Sequence, residues 1–295
     1  MRLFQFFYGE ATRRLIEPEF IPLESGNTGH WDALECVSIH RVLKENKFTK
    51  NEYIGFFCPL FSLKTGLTGR QVREVLAKAE QEVVSFSSSF EQIASYPNSF
   101  LQGDSMHPGL LEIAQDFLND IKVDLDLSTL VQDQTRIIFR NYFAARYDFW
   151  VQWLDITERL LKISEDPGSD LGQRLNSCTP HQGIVDYPMK DFLLERIVSV
   201  LLETQSINAA IGVDIGRSPM FSPGADDFFG AFLSLDALKS QYLKTREPKY
   251  LDIYEIQRRL VVQSIARTPD AVVPGSLALP PRVLDAHEVS WESSR

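Results

Sequence analysis

Apolar residues in the first half of the chain come in short runs separated by stretches of helical spacing. That alternation predicts an α/β sheet rather than an all-helical or all-β domain. Leu3 to Phe7 reads as a first strand, Trp31 to Glu45 as a helix, and Glu52 to Cys58 as a buried strand rich in Tyr, Ile and Phe. Thr68 and Gln71 have capping-box spacing ahead of Val72, Val75, Leu76 and Ala79, at i, i+3, i+4 and i+7, which predicts an amphipathic helix. A strand over Val83 to Phe86 follows. Ser87 to Met106 carries Pro97 and Gly103 and shows neither period, so a long loop is expected, of a length that more often means function than linkage. Pro108 takes a first helical position ahead of Leu110, Leu111, Ala114 and Leu118. Val123 to Leu127 and Arg136 to Ala145 read as strands, Asp148 to Ile163 as a helix stopping before Pro167 and Gly168, and Ser164 to Tyr187 as a loop.

From Pro188 to about Ser206 the pattern predicts one central helix, apolar nearly all round through Phe192, Leu193, Leu194, Ile197, Val198, Val200, Leu201 and Leu202. Residues 207–230 are punctuated by Gly, Pro and Asp, and Ala231 to Thr245 and Lys249 to Ala266 read as two further helices. Past Arg267 the composition shifts to Pro, Ser and Val, the mark of an extended tail. The organisation expected is an α/β domain over 1–206, a helical extension packed on it over 207–266, and a tail over 267–295.

A chain of 295 residues is long enough to bury an ample core without staples. Thirty basic against forty acidic residues give a net charge of -10, which argues against a general nucleic-acid binder and leaves room only for a local basic pocket. Cys36, Cys58 and Cys178 are odd in number and widely spaced, so neither a disulfide framework nor a four-thiolate zinc site is indicated, and a reducing cytoplasm is the simplest home. The apolar start of the chain is too brief for a secretory core, and no run approaches a membrane span. Any membrane role is expected to be peripheral.

Glu195-Arg196 interrupts the most apolar helix, where a charge held dry costs several kcal/mol unless paired. Adjacent helical residues point about 100° apart, so each is expected to meet a different partner: either a structural ion pair with some other element, or Glu195 or Arg196 at the wall of a substrate cleft. The run Gln102-Gly103-Asp104-Ser105-Met106-His107-Pro108-Gly109 brings a carboxylate and an imidazole to a helix start whose free amides suit a diphosphate; Asp104, Ser105 or His107 would serve equally as the cap of that helix. Tyr53 to Gly66 runs from a buried strand into a loop with one cation, Lys64, at the strand end where α/β ligands collect. Asp124-Leu125-Asp126 would put two carboxylates on one face of a strand, as a divalent cation requires, or simply mark a solvent-facing edge. No HExxH, GxSxG, P-loop or GxGxxG stretch is present.

In order, these segments resemble bacterial surface-polysaccharide glycosyltransferases, in particular the galactofuranosyltransferase-like domain of O-antigen polymerases. The likeness rests on Tyr53-Ile54-Gly55, on Asn141-Tyr142-Phe143-Ala144-Ala145 with the helix after it, and on Phe192-Leu193-Leu194-Glu195-Arg196-Ile197, across roughly residues 30–205. The resemblance implies a glycosyltransferase-A-like mixed sheet flanked by helices, a UDP-hexose or UDP-galactofuranose donor, and a glycan or polyprenyl-linked acceptor. It also implies work in the cytoplasm or at the inner face of the plasma membrane, in O-antigen or capsule synthesis. Catalytic candidates are Asp104 and then Glu195; donor-binding candidates are Tyr53, Gly55, Phe56, Lys64, His107 and Arg196. The usual metal clasp of that fold lacks a well-placed counterpart, which leaves both Mn²⁺ or Mg²⁺ at Asp124 and Asp126 and metal-independent action open. The competing expectation is a non-catalytic binder of glycan or of an enzyme partner in the same pathway.

Overall fold

Five successive buried residues, Leu3 to Phe7, make the first strand, β1 (Arg2–Phe7), a strand covered on both faces. The structure is a computed structural model that describes residues 1–25, 31–181, 185–220 and 224–267. After β1 come α1 (Glu10–Arg13), β2 (Ile21–Glu24), α2 (Trp31–Glu45), β3 (Tyr53–Phe57), α3 (Phe61–Thr65), α4 (Gly69–Lys78) and β4 (Val83–Ser85). The middle of the chain forms α5 (Phe90–Ser95), α6 (Ser99–Met106), α7 (Leu110–Asp120), β5 (Phe143–Arg146), α8 (Tyr147–Ser164) and α9 (Asp170–Asn176). A hairpin of β6 (Cys178–His181) and β7 (Val185–Pro188) leads into α10 (Met189–Leu194), α11 (Ile197–Thr204) and β8 (Ala209–Ile211). A 3-10 turn at Ala225–Phe228 precedes α12 (Phe229–Thr245) and α13 (Lys249–Arg267).

The protein is α/β, a mixed six-stranded sheet flanked by helices, with a helical C-terminal part. Strand order is β2-β1-β3-β5-β4-β8, and β5 alone runs antiparallel to its neighbours. One face is covered by α8, whose Trp150 stacks on Phe143 at 4.9 Å, meets Phe56 edge-on at 5.0 Å and donates to the Ile54 carbonyl. On the other face Phe57, Phe61, Phe86 and Tyr142 pack with Val72 and Leu76 of α4. Both halves of the Thr68–Gln71 capping box form.

Several expected elements differ. Ser87 to Met106 is not a loop but holds α5 and α6. Their inward positions include Glu91, Ser95, Ser99 and Gln102, so burial there leaves no apolar period. Pro108 lies ahead of its helix rather than in it, because Gly109, at φ 95°, takes the N-cap of α7. Val123 to Leu127 is not a strand, and of Arg136 to Ala145 only the last three residues join β5; turns closed by Asp126 and Asp133 side chains take the place of ladder bonds. Ser164 to Tyr187 contains α9, capped by Ser169, and the β6–β7 hairpin. Residues past 206 supply β8, the edge strand beside β4. The tail expected beyond Arg267 lies outside the described residues, except that α13 extends to Arg267.

The expected single helix from Pro188 to Ser206 is broken at Glu195 and Arg196. The Arg196 guanidinium donates to the Phe192 carbonyl at 2.6 Å, the acceptor its own backbone N–H would use in a continuous helix, and that N–H bonds Leu193 instead. Further on, α12 and α13 dock on the end of α5, whose last carbonyls lack helical partners. Lys239 donates to the carbonyls of Ile93 and Tyr96, Tyr254 to Ala94, and Arg258 to Ser95.

Candidate functional site

A cavity of about 340 Å³ opens where β3, β4 and β8 end and the antiparallel β5 begins. Each strand delivers its own piece of the wall. Past β3, α3 places Lys64; past β4 come Ser88 and Gln92; ahead of β5 stand Arg140 and Tyr142. The break between α10 and α11 contributes Glu195 and Arg196.

Arg196 is buried and committed to structure. It donates to Ser99 O at 2.9 Å, to Phe192 O at 2.6 Å, to Gln102 Oε1 at 2.8 Å and, at 3.5 Å, to Glu195 Oε2, and Gln102 in turn donates to Gln92. Gly103 permits this approach, because a Cβ there would lie 2.6 Å from Arg196 Nε. His107, also buried, stacks face to face on Phe192 with ring centroids 3.5 Å apart. Lys64 is half-buried and forms no ion pair among the described residues, so its charge is available to a ligand.

Arg140 holds a left-handed backbone at φ 50° and brings Nε to 2.5 Å from Glu195 Oε1. Behind that pair lies a void of about 20 Å³, room for one water, bordered by Glu35, Arg140, Asn141 and Glu195. Glu35 accepts from the Tyr8 hydroxyl and from Asn141 Nδ2 at 2.8 Å. Burial pushes its carboxyl up to about 7 against the opposing pull of Tyr8, and Arg140 and Glu195 act on it in opposite senses. Asp191, fully buried one turn before Glu195, has no hydrogen-bond partner on either oxygen among the described residues, and burial raises it to about 7.

Of the residues singled out from sequence, Lys64, His107, Glu195 and Arg196 share the cavity wall. Asp104 does not line it. Its Oδ1 accepts the backbone N–H groups of Gly109 and Leu111, which is the capping role. Tyr53, Gly55 and Phe56 lie in β3 within the sheet. Tyr53 donates to Gln81 and Ala79 carbonyls under the Arg146 guanidinium, Phe56 is fully buried against Phe4, and a Cβ on Gly55 would press on the Phe57 ring at 2.9 Å. Asp124 and Asp126 are exposed, and Asp126 accepts from Ser128 and Thr129 in a turn. They do not fit a divalent-cation clasp, and no group of three potential ligands comes together among the described residues. Arg140 and Glu35 were not singled out from sequence. Arg140-Asn141, set between Ile137-Ile138-Phe139 and Tyr142-Phe143, interrupts an apolar run just as Glu195-Arg196 does, and that was the available signal.

Among the described residues no helix is long and apolar enough to cross a membrane. Comparison with family models, curated proteins and solved structures found no match for this chain.

Proposed function

We propose that the cavity takes the diphosphate of a nucleotide-sugar, of UDP-hexose or UDP-galactofuranose type. The sugar passes to a hydroxyl of a glycan or polyprenyl-linked acceptor in bacterial surface-polysaccharide synthesis, at the cytoplasmic face of the membrane. The observation that carries this reading is the meeting of an uncommitted cation, Lys64, with the Arg140–Glu195 pair at the carboxyl ends of parallel strands. The resemblance through Tyr53, Asn141 and Glu195-Arg196 supplies the reaction class.

In this reading Glu195 takes the proton of the acceptor hydroxyl as its oxygen bonds to the sugar carbon. The bond from that carbon to phosphate breaks, and the diphosphate leaves with the electron pair against Lys64 and the exposed part of Arg140. Arg140 orients the carboxylate, while Arg196 and Gln102 fix the wall behind it. The residues given roles in this reading are side chains of the protein alone, and among the described residues no three potential ligands come together.

Thermal unfolding with and without UDP, each with and without Mn²⁺, tests the reading. At 100 times its dissociation constant UDP adds about 2.7 kcal/mol of stability. No shift with UDP or any other nucleoside diphosphate would remove the donor from this cavity.

A further inference from the structure

Helix α13 is apolar on two sides. Tyr254, Val261 and Ile265 face inward and are buried with α5 and α12. Outward stand Ile253, Ile256 and Leu260, 43%, 54% and 58% exposed. They recur at i, i+3 and i+7, the a and d positions of a heptad seam. Exposed Lys249 continues the stripe one turn earlier, and exposed Asp252 and Arg259 flank it along one edge at successive g positions, with no ion pair among the described residues.

We infer that this face docks a second copy of the same chain, α13 against α13, antiparallel about a two-fold axis. The charges select this occupant. In an antiparallel pair the g edges face each other, so Asp252 meets the partner subunit's Arg259 and Arg259 meets the partner subunit's Asp252. The same register sets Ile253 against the partner subunit's Ile256 and lays Leu260 over the alkyl stem of the partner subunit's Lys249. A parallel pair would turn Asp252 and Arg259 toward Gln257 and Ser264 and gain no ion pair. An anionic bilayer would attract Lys249 and Arg259 but repel Asp252, which stands on the same edge. One helix from each copy makes a small interface, so the association belongs to the weak, reversible class.

Analytical ultracentrifugation of the full chain up to about 100 µM, within the weak range of specific association, tests the inference. The dimer fraction should rise with concentration. Ile256→Asp should leave monomers with an unchanged circular dichroism spectrum. Asp252→Arg and Arg259→Asp should each weaken dimers about tenfold, and the combined swap should restore them. Monomers throughout would overturn the inference, as would dimers indifferent to Ile256→Asp or a swap that fails to restore them. Binding to phosphatidylglycerol vesicles that Ile256→Asp abolishes, without dimers, would also overturn it and give the face to a bilayer.

Discussion

The guanidinium of Arg140 meets the Glu195 carboxylate at 2.5 Å, joining a left-handed turn ahead of β5 to the break between α10 and α11. Two segments far apart in sequence thereby set one carboxylate at the cavity wall. The side chain of Glu195 retains only 11% of its exposure, so that placement costs solvation, which the pairing offsets. The reaction proposed above turns on this one group.

Glu195→Gln keeps the shape of the side chain and removes the proposed base. Sugar transfer should fall by about 10²–10⁴-fold, the usual worth of a positioned base, while UDP still stabilises the fold. Single-turnover assays beside circular dichroism read this, and undiminished transfer would exclude Glu195 from the proton step.

Lys64→Ala removes a cation that forms no ion pair among the described residues. Stability should stay within about 0.5 kcal/mol, whereas UDP affinity should fall about 10–100-fold, as expected for a lost charge-assisted hydrogen bond. Equal UDP titrations for both proteins would place the phosphates elsewhere.

Asp104→Ala removes the cap of α7. A loss of about 0.5–2 kcal/mol is expected, with transfer per folded molecule unchanged. Urea unfolding and turnover measured on the same samples separate the two effects; loss of turnover at full stability would return Asp104 to the chemistry.

Gly103→Ala would drive a methyl into the Arg196 guanidinium and Leu110, each 2.6 Å from the new carbon. Overpacking of this kind costs about 1–3 kcal/mol, and the melting temperature should fall accordingly. A neutral substitution would mean that Arg196 is looser than its hydrogen bonds to Ser99, Phe192 and Gln102 indicate.

Stability should decline as pH rises from about 4 toward 7. Glu35 and Asp191 are each raised to about 7 in the folded chain, above the ordinary carboxylate values of about 4 that hold when unfolded, so the folded state binds more protons across that window. The contribution is complete below the unfolded values and is lost through the folded ones, with a slope of up to about 1.4 kcal/mol per pH unit per group. Asp191→Asn should flatten part of that slope and raise stability at pH 8 relative to the parent. An unchanged pH profile would show that Asp191 does not titrate there.

Strong periodicity and explicit capping made much of the fold readable in advance. β1, β3, β4, α2, α4, α8, α12 and α13 fall where Leu3, Tyr53, Val83, Thr68 and their neighbours place them, because each buries an apolar face of the right period. α5 and α6 were hidden because Glu91, Ser99 and Gln102 turn inward, and Ser99 and Gln102 are satisfied by partners distant in the chain. The interruption at Glu195-Arg196 was visible as an oddity of charge. Its consequence, a broken helix, depends on Ser99 and Gln102 more than ninety positions away, as the Arg196 bonds to them record. Nothing local to Asp104 distinguished a cap from a base, since both roles ask for a carboxylate beside free amides.

Ser95 waits for a guanidinium 163 positions later, and Ile93 for an ammonium 146 positions later. During synthesis, Gln92 and its side of the cavity therefore stay unfinished until α12 and α13 have left the ribosome. A nascent chain stalled before Arg258 would carry Lys64, Arg140 and Glu195 and still lack the brace that closes the room around them.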